Sequence, residues 1–140
     1  MRRWLPLFVL LGTAGCSQGY RLAPVSGTVT LNGQPLAGAD VHFQPIGSKD
    51  NPNPGPGSHG KTDDQGRYSL RVDERQAGAV VGTHRVMIFA YTRGTAGPQP
   101  DAGGGKKKDR VPLRYNEKTE LTCEVPAGGR SDADFPLTAP

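Results

Sequence analysis

From Pro24 onward, apolar and polar side chains alternate with period two, the signature of strands that bury one face. In Val25-Ser26-Gly27-Thr28-Val29-Thr30-Leu31, Val25, Val29 and Leu31 share one face, and Ser26, Thr28 and Thr30 share the other. Asn32-Gly33 follows. Both central residues of a type I′ hairpin turn need positive φ, so this dipeptide predicts a tight hairpin. Pro35 to Gly38 reads as a bend into a second strand with Ala39, Val41 and Phe43 facing one way. Tyr68 to Val72 alternates as a third. Thr83 to Tyr91 is apolar on both faces over Val86 to Phe89, which predicts a strand covered on both sides. Leu121 to Val125, with Leu121, Cys123 and Val125 on one face, and Asp134 to Leu137 complete the series.

The intervening segments carry turn chemistry. Residues 45–60 hold four prolines and almost no apolar side chain, which predicts an exposed loop. Lys61 to Arg67 reads as a turn in which Asp63 or Asp64 accepts local backbone N–H groups and Gly66 adopts a left-handed conformation. Residues 93–110 form a second long loop. Six or seven short strands, no convincing helix and no long repeat point to an antiparallel β-sandwich.

Composition sharpens this picture. Gly 20 and Pro 13 favour turns over helices. At the N-terminus, Met1-Arg2-Arg3 is basic, Trp4 to Leu11 is apolar apart from Pro6, and Gly12 to Gly15 precede Cys16. A basic head, a short apolar run and small residues make a secretory signal. With Cys16 directly after Ala14-Gly15 it resembles a bacterial lipoprotein signal, although Thr13 stands where Leu is usual. That resemblance implies lipidation of Cys16 and anchoring to a membrane of the cell envelope. The expected division is residues 1–15 as signal peptide, 16–23 as lipidated Cys and linker, and 24–138 as one domain. Loss of Arg2 and Arg3 lowers the formal charge from +4 to +2. Neither a basic helix nor aromatic-basic interleaving is present, so nucleic acid is not an expected partner. Cys123 is the only thiol besides Cys16, so no internal disulfide framework is expected.

Three strings together carry a family resemblance. Val25 to Phe43 resembles the opening of carboxypeptidase regulatory-like domains, and Thr62-Asp63-Asp64-Gln65-Gly66-Arg67-Tyr68 resembles their Thr-Asp-x-x-Gly-x-Tyr turn and strand. Val111 to Asn116, Leu121 to Val125 and Phe135 to Leu137 are similar to the tails of small lipoproteins of planctomycete-type bacteria. The resemblance implies a seven-stranded prealbumin-like or Ig-like sandwich without catalytic residues or cofactors.

Candidate chemistry is sparse. His42, His59 and His84 lack local metal-ligand spacing, and two of them would meet only across strands, so no metal site is expected. Asp63 to Gly66 lacks the alternating carboxylates of a calcium loop. Ser58-His59 lacks a rigid support for catalysis, and Cys123 reads as a small core residue. For glycan stacking, Phe43, Tyr68, Phe89 and Phe135 read as strand residues with no ring face to spare. That leaves Tyr20, Tyr91 and Tyr115, with Tyr91 the candidate. Lys106, Lys107, Lys108 and Arg110 form a basic cluster that reads first as a solvated loop and second as a contact for anionic lipid headgroups or a protein partner. The expected function is a non-catalytic, membrane-tethered envelope lipoprotein with a structural or protein-binding role; the alternative is a carbohydrate-binding module.

Overall fold

A computed structural model describes residues 19–91 and 109–140. Cys16 and Lys106, Lys107 and Lys108 lie outside the described residues, as does the expected signal segment. Within them, all regular structure is β except one 3-10 turn at Leu113–Tyr115.

Asn32 and Gly33 have φ of 51° and 79°, so the hairpin forms as the dipeptide requires. It joins β2 (Ser26–Leu31) to the two-residue β3 (Gln34–Pro35), with Leu31 opposite Gln34. The first half of β2 pairs antiparallel with β6 (Arg67–Ser69), Gly27 opposite Tyr68. Its second half pairs parallel with β10 (Phe135–Leu137), Val29 opposite Phe135. A second sheet is antiparallel throughout, in the order β5 (Ser58–Lys61), β4 (Asp40–Pro45), β8 (Gly82–Phe89), β9 (Thr122–Val125). A small third sheet pairs β1 (Leu22–Ala23) with β7 (Ala79–Val80).

Alternation then builds a single core. Val25, Val29, Tyr68, Leu70, Phe135 and Leu137 come from the first sheet and its margins; Val41, Phe43, Val86, Ile88, Cys123 and Val125 come from the second. Phe43 and Phe135 meet across the interior edge-to-face, with ring centroids 6.1 Å apart. The arrangement is all-β with several antiparallel sheets, consistent with a β-sandwich. Burying each of the larger side chains contributes about 1.5–3 kcal/mol. Gly27 marks the closest approach, since a Cβ there would collide with the Ala133 carbonyl oxygen.

The string from Thr62 to Tyr68 is explained by hydrogen bonds. Thr62 is buried, and its hydroxyl donates to Leu36 O and accepts from Ala39 N–H, pinning the bend before β4. Asp63 Oδ1 accepts from the N–H groups of Gln65 and Arg67 at 2.8 and 2.9 Å, which closes the expected turn. Those bonds, with Arg67 N–H the largest influence, hold its carboxyl below the usual range. Tyr68 crosses the core and donates to Ala133 O at 2.6 Å.

Three expectations are corrected. Leu22 and Ala23, expected in the linker, already pair with Val80 and Ala79. Ser58–Lys61, expected inside an exposed loop, is a strand of the second sheet. It carries no apolar pattern because its place is set by backbone pairing on both sides, to β4 and, through His59, to Arg71. Thr83 to Tyr91 is not enclosed on both sides: Val86 and Ile88 are fully buried, whereas Met87 and Phe89 are half-buried. At the end of the 3-10 turn, Tyr115 stays partly exposed, its hydroxyl accepting from Thr138 N–H at 3.2 Å. Asn116 is the buried member and donates to Asp109 Oδ2 at 3.1 Å. Asp109 Oδ1 in turn accepts from the N–H groups of Ala90 and Val111, tying residue 109 to the end of β8.

Candidate functional site

The outward positions of β5, β4 and β8 gather most of the unspent side-chain chemistry. Because these strands are antiparallel and in register, His59, His42 and Met87 form one row across the sheet. Lys61, Asp40 and Phe89 form the next. The His42 and His59 rings lie 6.4 Å apart at 33°. Phe89 meets His42 edge-on at 5.7 Å and stacks on Tyr91 at 5.9 Å with an interplanar angle of 19°. A continuous band of rings therefore runs obliquely from His59 to Tyr91. Lys61 Nζ lies 3.3 Å from Asp40 Oδ1; both groups are exposed, so the pair contributes little to stability. The pKa of His42 is lowered chiefly by partial burial, with Asp40 opposing the shift and His59 reinforcing it.

Tyr91 sits at the end of this band and is 45% exposed. Its partner is Phe89, expected to be spent within a strand covered on both sides but half-exposed and stacked on Tyr91. The other two tyrosines considered for stacking are engaged. Tyr115 has the Arg114 guanidinium over its ring at 4.8 Å, and the Tyr20 hydroxyl donates to Gln76 Oε1. Of the expected basic cluster, Arg110 is described; its guanidinium donates to Ala37 O at 3.0 Å.

The remaining candidates separate cleanly. His59 is exposed in β5 whereas its neighbour Ser58 is buried, so the two point to opposite faces and form no catalytic pair. His84 faces inward with no exposure, and its Nε2–H donates to Val80 O at 2.6 Å. It lies opposite Cys123 in the β8–β9 register, with Nε2 tied to the backbone and Nδ1 enclosed in the core. Burial raises the Cys123 pKa, with Arg130 opposing, so the thiol stays protonated and packs as a core residue. A shallow groove of about 610 Å³ passes Lys61, Asp63, Arg67 and Arg71. Its charges are spent internally: Arg67 pairs with Asp63 at 3.4 Å, and Arg71 donates to Asp73 O and Glu74 O. Among the described residues, no group of three or more His, Cys, Asp or Glu converges on a metal-sized space. Comparison with protein-family models, curated proteins and solved structures finds no match for the chain.

Proposed function

We propose that this chain is a non-catalytic envelope lipoprotein, anchored by acylation of Cys16, whose β-sandwich of the prealbumin-like or Ig-like type acts as a contact body. The observation that carries the contact role is the band from His59 to Tyr91. It is a half-exposed surface of mixed aromatic and imidazole character on a rigid antiparallel sheet. The anchor is supported by the basic, apolar and small-residue succession before Cys16, and by the short spacing from Cys16 to β1. The resemblance to carboxypeptidase regulatory-like domains supports the sandwich type and brings no catalytic residue with it. Mass spectrometry of the N-terminal peptide from native membranes tests the anchor. A diacylated or triacylated Cys16 is expected, and an unmodified Cys16 or any other N-terminus rejects it. Affinity capture from envelope extracts tests the contact role. Partners retained by the wild type are expected to be lost in the Phe89→Ala/Tyr91→Ala variant.

A second reading, carbohydrate binding, is favoured by one specific feature, the stacked Phe89–Tyr91 pair. Aromatic rings with an open face offer a platform for the apolar face of a sugar ring. Titration of oligosaccharides against the protein, with Tyr91→Ala as control, distinguishes it from protein contact.

A further inference from the structure

We propose that His42 and His59 form a two-imidazole chelate for a divalent first-row transition cation on the outer face of the second sheet. The argument starts from the backbone. His59 N–H donates to Arg71 O at 2.8 Å, and His59 C=O accepts from Arg71 N–H at 2.9 Å. Both backbone groups of His59 therefore point away from β4, which makes His42 and His59 a non-hydrogen-bonded antiparallel pair. Directly opposed side chains come closest in such pairs. A cation bound by two imidazole nitrogens at about 2.0–2.1 Å, at the angles of a square-planar or tetrahedral centre, places the ring centres roughly 4.5–5 Å apart. The observed separation is 6.4 Å, so binding requires the rings to close by about 1–2 Å, a rotamer change that falls to the exposed His59 side chain.

The surroundings favour the site. Phe89 packs edge-on against His42 at 5.7 Å, so one ligand is already supported by the sheet. Two cations adjoin the site: Lys61 is held by Asp40 in the adjoining row, and Arg71, opposite His59 on its other side, donates to Asp73 O and Glu74 O, which offsets their repulsion. Two protein ligands leave the other positions open to water or to a donor from a partner, so the site is an exchangeable surface chelate, unlike a closed structural centre. Imidazole suits copper, nickel and zinc, and among the divalent ions Cu²⁺ binds nitrogen ligands most tightly. The proposal is independent of lipid anchoring and of the contact role.

The test uses protein purified without a polyhistidine tag and Cu²⁺ as the probe. Calorimetric titration of the wild type is expected to include one site that weakens on the order of tenfold or more in both His42→Asn and His59→Asn. In NMR spectra, paramagnetic broadening is expected to centre on His42 and His59 and to be weaker at His84, which points into the core from the same sheet. His59 is exposed, so its variant retains the fold if His42→Asn does not. The proposal fails if Cu²⁺ affinity is unchanged in His59→Asn, if broadening centres elsewhere, or if no binding occurs at millimolar Cu²⁺.

Discussion

The two faces of the four-stranded sheet are made by the same strands and differ in almost everything else. Val41, Phe43, Val86 and Ile88 point inward with at most 1% exposure, and they interlock with Phe135 and its neighbours. One position along in each strand, His42, Met87 and Phe89 point outward and stay half-exposed. The inner face is set by packing, where any change of volume leaves a void or a clash. The outer face is under a weaker constraint, since cross-strand ring contacts contribute only about 0.2–1 kcal/mol each, so it accommodates imidazoles and stacked rings with surface to spare. That contrast is the physical ground for locating contact chemistry on the outer side.

Substitution on each face tests the contrast most strongly. Phe43→Ala should destabilise the protein by about 3–5 kcal/mol, since it leaves a cavity where the sheets meet. Phe89→Ala, one strand away but facing outward, should cost clearly less. Denaturant unfolding of the two variants checks this. Equal costs would mean that the outer face is covered by something as extensive as the opposing sheet.

A smaller effect probes the margin between sheet and turn. Thr62→Val conserves shape but removes the hydroxyl that bonds Leu36 O and Ala39 N–H, leaving both buried groups unpaired. The expected loss is about 2 kcal/mol, read from the shift in unfolding midpoint at constant slope. A neutral result would show that solvent reaches the bend after β3.

This margin also shows what was legible in the chain beforehand. The alternation of Val25 to Leu31 and the Asn32-Gly33 turn are local, because strand period and positive φ are properties of neighbouring residues. So was the Asp63 to Gly66 turn. Ser58–Lys61 was not legible, because its side chains carry no apolar period and its pairing depends on partners at Asp40 to Phe43 and at Arg71. The parallel pairing of Phe135 with Val29 joins segments more than a hundred residues apart, and no local pattern encodes it. The candidate band failed to show for a related reason. Tyr91 was visible as an aromatic at a strand end, but the opposition of His42 and His59 depends on register, and Phe89, in a run apolar at odd and even positions alike, read as covered when it is half-exposed.

Acidification contrasts the two faces through their histidines. Burial holds the His84 pKa below its ordinary value of 6.5. As pH falls below about 6.5, the unfolded chain therefore takes up a proton that the folded chain resists. More protons bound by the unfolded state means that stability declines on acidification and is fully present above that pH. His42 is shifted in the same direction but stands on the half-exposed side, where solvent offsets the effect. Unfolding free energies measured from pH 7.5 to 5 should fall, and the slope should flatten in His84→Leu more than in His42→Asn. A steeper loss of slope in the His42 variant would place the dominant buried imidazole on the wrong face.

The smallest expected effect is the most discriminating one. Tyr91 ends the aromatic band, is 45% exposed, stacks its ring on Phe89 and joins Asp109 through its backbone. Its removal leaves the core untouched, so Tyr91→Ala should change stability by no more than about 0.5 kcal/mol. If its exposed ring face serves a ligand, the same substitution should abolish binding of that ligand while the unfolding curve stays superimposable on the wild type. A stability loss as large as that of a core residue would instead make Tyr91 part of the folded architecture. The inner and outer faces would then differ in exposure but not in purpose.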